Sequence, residues 1–279
     1  MKYSVFTVMT PEFTPEELVG KLVHLGYEGV EWRVAAVLEK KKKISFWEGN
    51  KCSFSLQTLK EKADYIKSIT EKENLEICNL ATYLKVDEFE KIEKAMQAAK
   101  VMACSQIRVG VPSYERGLNY NNLFEETQEN LKKVEKLASK YGMKALLELH
   151  MGNIIPSASA AYRLISSFDP GCIGVIYDPG NMVYEGYENW QMGMQLLGKY
   201  LAHVHVKNSS WIIERKDENR IFFWKPISAR LKEGIVEWKQ VIDDLKAVGY
   251  EGYLSFEDFS DIPTEEKLTK NIEYFKSLE

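Results

Sequence analysis

Short runs rich in β-branched and aromatic residues recur along the chain near 3–8, 28–33, 75–81, 106–111, 144–149, 173–177, 201–207 and 252–257, and each run predicts a strand. Between them, apolar residues return at helical spacing, most clearly over 14–25, 56–74, 87–103, 121–141, 157–168, 236–248 and 264–277, and more weakly over 187–199. Eight strands in 279 residues give a period of about 35, the size of one βα unit in a closed parallel barrel. Thr14-Pro15-Glu16-Glu17 and Ser157 stand where helices should start, and Gly26, Gly142 and Gly249 where helices should end. The near copies LGYEGVEW and VGYEGYLSFE each join a helix end to a strand that terminates in an acid, as two equivalent units of one barrel would. The predicted fold is a single-domain (β/α)8 TIM barrel over residues 1–279. An open doubly wound sheet would carry a glycine-rich phosphate fingerprint after the first strand, and TVMTPEFTPEE has none.

Composition narrows the choice of partners. The chain is 45% hydrophobic with a net charge of −4, and its 37 basic residues are outnumbered by 41 acidic ones, which argues against nucleic acid as a ligand. Cys52, Cys78, Cys104 and Cys172 show no metal-ligand spacing and read as core or loop residues. The amino terminus, MKYSVFTVMTPEF, has neither signal-peptide nor membrane-span character, so a soluble cytoplasmic protein without a membrane partner is expected. Two connections are long, 34–54 and 208–235. The Lys40-Lys41-Lys42-Lys43 run in the first reads as a solvated turn. The second, with Arg215, Arg220 and Arg230, reads as a loop that closes over the site or meets a neighbouring subunit of a homo-oligomer.

Chemistry in such a barrel gathers at the carboxyl ends of the strands. The fifth run ends Leu147-Glu148-Leu149-His150, the sixth ends Tyr177-Asp178-Pro179-Gly180-Asn181, the seventh carries His203-Val204-His205-Val206-Lys207, and the eighth ends Phe256-Glu257-Asp258. Alternation puts Glu148 with His150, and His203 with His205 and Lys207, so three of the four histidines fall in one layer. A carboxylate from each of three strand ends and an imidazole from a fourth would repel and desolvate one another in a dry pocket unless a divalent cation neutralised them. An oxygen-rich, nitrogen-poor set suits Mn²⁺ best, with Mg²⁺, Co²⁺ and Zn²⁺ compatible. The alternative is four isolated, ion-paired residues.

These segments resemble the sugar phosphate isomerase/epimerase family of xylose isomerase-like TIM barrels, which includes ketose 3-epimerases, hydroxypyruvate isomerase and inosose dehydratase. The resemblance rests on GYEGVEWR, IRVG, LELHMGN, YDPGNM, HVHVKN, GIVEW and GYEGYLSFED and covers nearly the whole chain. It implies metal ligation by Glu148, Asp178, His205 and Glu257, with Glu148 and Glu257 doubling as the acid/base pair. A sugar or sugar-derived substrate with a carbonyl beside a hydroxyl-bearing carbon would then lose its α-proton. Return of that proton gives epimerisation or isomerisation, and loss of a β-hydroxyl gives dehydration.

Arg108 and Lys207 are read as contacts for substrate hydroxyls or a phosphate, or as interior salt bridges to Glu31 or Asp178. His150 and Asn181 are read as hydrogen-bonding to substrate or to the ligands, His203 as a satisfied interior histidine, and His24 as structural. Trp32, Tyr83, Trp211 and Trp224 are read mainly as packing, with a sugar-sized pocket as the alternative. Where ketose 3-epimerases carry a second glutamate, a histidine and an arginine, this chain has Ile154, Asn181 and Trp211. The metal core is thus expected with a different hydroxyl-reading shell, which makes an inosose or keto-sugar dehydratase the rival reaction. A barrel that binds a sugar without turnover and an endonuclease IV-like nuclease are weaker rivals; four histidines are too few for the nuclease's three metals.

Overall fold

A computed structural model describes residues 1–35 and 43–278, so Lys40, Lys41 and Lys42 of the basic run lie outside the described residues. Eight parallel strands form the barrel: β1 (Lys2–Phe6), β2 (Gly29–Ala35), β4 (Glu76–Lys85), β5 (Gln106–Gly110), β6 (Lys144–Glu148), β7 (Ile173–Tyr177), β8 (Leu201–Val206) and β11 (Tyr253–Phe256). Each pairs with its neighbours, and β1 pairs with both β2 and β11, which closes the ring. β3 (Ser53–Ser55) adds a short parallel strand to the mouth end of β2.

The outer helices fall where apolar periodicity placed them: α1 (Pro15–Leu25), α2 (Ala63–Lys72), α3 (Phe89–Val101), α4 (Tyr120–Tyr141), α5 (Ala158–Ile165), α7 (Trp190–Leu197), α8 (Trp238–Ala247) and α9 (Thr264–Lys276), with a short α6 (Pro179–Tyr184) after β7. Thr14 caps α1 in a reciprocal box with Glu17, and the Ser157 hydroxyl accepts from Ala160 N–H. Gly26 and Gly142 end α1 and α4 at φ 85° and 64°, where a side chain would be strained. α2 starts at Ala63; residues 56–62 form turns instead of the helix that periodicity extended to 56.

The apolar core lies between strands and helices, where Tyr177, Trp238, Phe256 and Phe275 are fully buried. Inside the barrel the apolar content is small, with Phe6, Val8 and Ala81 in a cluster of their own. Leu146 and Ile176 lie two residues before Glu148 and Asp178 on the same face, and above them the interior is polar, which positions the site.

The connection 208–235 is not a loop. It forms an antiparallel hairpin of β9 (Asn208–Lys216) and β10 (Phe222–Ala229) that stands apart from the barrel sheet. The run WIIERK reads as a loop only because it sits between a strand and a helix; its β-branched content favours extended backbone. Among the described residues no helix is long and apolar enough to cross a membrane.

Candidate metal centre

Four neighbouring strand ends deliver the candidate ligands. Glu148 is the last residue of β6, and Asp178 follows β7, where its carboxylate caps α6 by accepting from Asn181 N–H at 2.8 Å. His205 lies near the end of β8, and Glu257 directly follows β11. All four are buried, and one ligand atom from each lies within 4.8 Å of the others. The His205 Nδ1 stands 3.1 Å from Glu148 Oε1, 3.6 Å from Glu257 Oε2 and 3.9 Å from Asp178 Oδ2.

A second tier lies beneath. The Nε2 of His205 meets both oxygens of Glu31 at 3.2 Å, so an Nε2–H donated to Glu31 leaves the Nδ1 lone pair facing the three acids. Glu31 also binds His203 Nε2 at 2.9 Å and accepts from Asn79 Nδ2 at 2.9 Å and Ser255 Oγ at 2.7 Å. Stacking on Phe6, with centroids 5.5 Å apart, fixes the plane of the His205 ring. Glu31, His203 and His205 form a second group with metal-ligand geometry. There the carboxylate is already met by four donors, whereas the upper group holds three acids around one imidazole.

Two buried cations brace the upper tier. Arg108 in the middle of β5 gives a 2.8 Å ion pair to Glu148, donates to Thr82 O at 3.0 Å, and faces the Tyr83 ring at 4.5 Å. Lys207 reaches Asp178 at 3.0 Å, Glu257 at 2.5 Å and Asn181 Oδ1 at 3.0 Å. Gly180 makes this approach possible, because a Cβ there would lie 2.8 Å from Lys207 Cγ and 2.9 Å from its carbonyl carbon. Three carboxylates and one imidazole nitrogen within reach of one another form an oxygen-rich donor set that fits a hard divalent ion.

The electrostatics separate the two glutamates. Burial alone would raise the Glu148 carboxyl, but Arg108 and His205 hold it well below the usual carboxylate range. Burial also raises Glu257; Lys207 and His205 offset this only partly against Glu148 and Asp178, so its pKa stays above the ordinary value. Burial disfavours the imidazolium of His205, and the adjoining Glu31 and Glu148 carboxylates outweigh it and push His205 well up.

Above the ligands opens a cavity of about 820 Å³. Glu148 and Glu257 enter its floor with Arg108, Asn181 and Lys207, and an aromatic wall of Phe46, Trp47, Tyr83, Tyr184 and Phe259 rises around them. The volume is of the size that holds a small metabolite.

The structure therefore brings together Glu148, Asp178, His205 and Glu257 with Arg108, His150, Asn181 and Lys207, with changes of partner. Lys207 makes the interior salt bridge to Asp178, as the alternative reading had it, whereas Arg108 pairs with Glu148 of the neighbouring β6 and not with Glu31. Asn181 donates to Glu148 Oε1 and to Leu149 O, both at 3.2 Å, so it steadies a ligand. His150 lines the cavity with Nδ1 against Met151 O and stays outside the ligand group. His203 is an interior histidine on Glu31, as expected, and His24 is exposed on α1. Trp32 is buried and donates to Thr70; Trp211 and Trp224 belong to the hairpin, so of the four candidate aromatics only Tyr83 lines the cavity. Sequence reading missed Phe46, Trp47, Tyr184 and Phe259, and treated Glu31 only as a salt-bridge acceptor. A carboxylate inside the buried run GVEWRV was the available signal for Glu31, since it must find donors there.

A sequence profile described as xylose isomerase-like TIM barrel matches residues 19–278. The chain is 28% identical over 137 residues to the inosose dehydratase of Geobacillus thermodenitrificans strain NG80-2, a match that spans less than half of either chain (46% of this one, 45% of the relative). It is 24% identical over 274 residues to the inosose dehydratase of Clostridium beijerinckii, covering 88% of this chain and 82% of the relative. Among solved structures, the 3-keto-D-glucoside 4-epimerase YcjR of E. coli superposes with a TM-score of 0.74 over 99% of both chains at 14% identity, a likeness of fold.

Proposed function

The chain belongs to the xylose isomerase-like TIM barrel family, and on that footing we propose that it is a divalent-metal-dependent isomerase or epimerase of a small keto-sugar or keto-polyol. The observation that carries this reading is the convergence of Glu148, Asp178, His205 and Glu257, of which Glu148 and Glu257 open onto the floor of a metabolite-sized cavity while Asp178 and His205 are buried behind them. These four residues would hold Mn²⁺ or another hard divalent ion. When bound, the ion supplies a Lewis acid for a carbonyl and its neighbouring hydroxyl.

The chain's own groups do the rest. Glu148 and Glu257 stand on β6 and after β11, on two sides of the cavity floor, so one can take the proton of the carbon beside the carbonyl and the other can return it. Arg108 and Lys207 offer fixed positive charge to the substrate oxygen as it gains negative charge. Asn181 keeps Glu148 in place, and the aromatic wall covers the apolar face of a ring and keeps bulk water from the reacting carbon.

The second reading, dehydration of an inosose or related keto-sugar, is favoured by the names of the curated relatives. Both reactions begin with removal of the same proton and part at the next step. Incubation of the metal-loaded protein in D₂O with a panel of ketoses, inososes and small hydroxy-ketones tests them together. Solvent deuterium α to the carbonyl without loss of water supports the isomerase or epimerase; formation of an enone or its tautomer supports the dehydratase. A panel with neither outcome overturns both and leaves a sugar-binding barrel.

A further inference from the structure

The hairpin after β8 has properties that the barrel chemistry does not use. Its base is fixed: the buried Asn208 side chain donates to Leu231 O and Val236 O and accepts from Val236 N–H, all at 2.8–2.9 Å. The Trp211 indole ties β9 to α6 by donating to Val183 O at 2.9 Å. Beyond that point every residue of β9 is exposed, and in β10 four of eight are exposed and none is buried. Trp211, Ile212, Ile213, Ile221, Phe222 and Trp224 are each between 37% and 57% exposed, with Ile213 and Trp224 directly opposite in register.

With large apolar side chains burying roughly 150–250 Å² each, these six leave on the order of 500–600 Å² of largely apolar surface bare over the whole ribbon. Spread over the two faces of the ribbon, with Trp211, Ile213 and Trp224 sharing one of them, that is comparable to a monomer's largest patch and supplies part of the roughly 800 Å² per partner that a standard interface buries. A two-stranded ribbon uncovered on both faces is at best marginally stable in water, and this one is held by the barrel only at its base. The charges between its apolar residues are mixed, with Glu214, Asp217 and Glu218 against Arg215, Lys216, Arg220 and Lys225. Arg215 and Lys216 already lie over the rings of Phe223 and Phe222. A nucleic acid or an anionic membrane would want one sign of charge; a two-fold axis, which sets the same surface against itself, wants both.

We propose that the arm 208–229 is the docking element of a two-fold dimer, and that its occupant is the arm region of a second copy of this chain. The Ile213–Trp224 pair forms the centre of the interface, and the mixed charges form its rim. Because Ser228 of the same arm lines the cavity, the second copy is seated beside the mouth of the barrel. The proposal does not depend on which reaction the site performs.

Sedimentation velocity of the full chain, from nanomolar to high micromolar concentration, tests it against Ile213→Lys and Trp224→Glu variants. A twofold mass at micromolar concentration that falls to the monomer mass in either variant, with unchanged far-ultraviolet circular dichroism and metal content, is the expected result. A wild-type chain that stays monomeric throughout overturns the proposal, and so does a dimer that survives both substitutions. Ile221→Lys near the tip is the second probe should either variant misfold, and it is expected to weaken the dimer at least tenfold.

Discussion

His205 faces two carboxylate layers with its two ring nitrogens, and its role follows from that position. Asp178→Ala and His205→Ala are expected to abolish stoichiometric divalent-metal retention, measured by elemental analysis after gel filtration; full retention in both would refute the ligand assignment. Glu31 touches no candidate ligand atom on the cavity side, yet it fixes which nitrogen of His205 faces the acids. Glu31→Ala should lower metal affinity by about 10–100-fold in a chelator competition, with Glu31→Gln recovering part of the loss through its remaining acceptor. Glu148→Gln and Glu257→Gln should each slow solvent-proton exchange by about 10²–10⁴-fold while the fold is kept. The four upper residues were legible because each ends a strand beside a recognisable motif. Glu31 was not, since its partners His203, Asn79 and Ser255 come from three other strands and meet it only when the barrel closes.

At the scale of elements, the barrel strands and outer helices were legible because period-two and period-3.6 patterns alternate without interruption. The hairpin was hidden by its exposure: WIIERK has neither a buried face nor a glycine-rich turn to mark it. Its base provides a test. A Cβ at Gly234 would lie 2.0 Å from Asn208 Oδ1, so Gly234→Ala must displace the side chain that ties both ends of the connection. A loss of about 1–3 kcal/mol in urea unfolding is expected for Gly234→Ala and for Asn208→Ala, and the pair should be less than additive. A second tie lies at the opposite end of the barrel, where Glu76 of β4 receives Lys2 of β1 at 2.5 Å and Tyr253 of β11 at 2.8 Å. The Lys2 and Tyr253 hydrogen bonds lower the Glu76 carboxyl below its ordinary value. The stabilisation is therefore present above the ordinary carboxylate pKa and lost as pH falls through the depressed one. Both partners are largely exposed, so its size is below about 1 kcal/mol, and Glu76→Gln should flatten that part of the acid stability curve.

For the whole molecule, metal binding by the proposed site would be linked to folding, because the candidate ligands come from β6, β7, β8 and β11 and meet only in the closed barrel. Chelation should lower the melting temperature, by the equivalent of about 4 kcal/mol from a free metal concentration a thousandfold above Kd; an unchanged midpoint would contradict the linkage. The four cysteines are buried thiols, and burial pushes Cys104 up to about 12, so none should react with a thiol reagent until the chain unfolds. The eight-unit barrel could be read from the sequence, since its strands and helices follow from local periodicity. The shape of the cavity could not, because Phe46 and Trp47 arrive on an irregular connection that no period describes. The tier of Glu31, His203, Asn79 and Ser255 beneath the candidate ligands sets a limit on engineering. A programme that selects only for heat resistance would treat this buried polar group as a defect and replace it, as a unit, with leucine, phenylalanine and alanine. The resulting barrel should melt later and hold its metal poorly, so thermostability and catalytic competence would be traded at the floor of the barrel, well away from any atom that meets substrate.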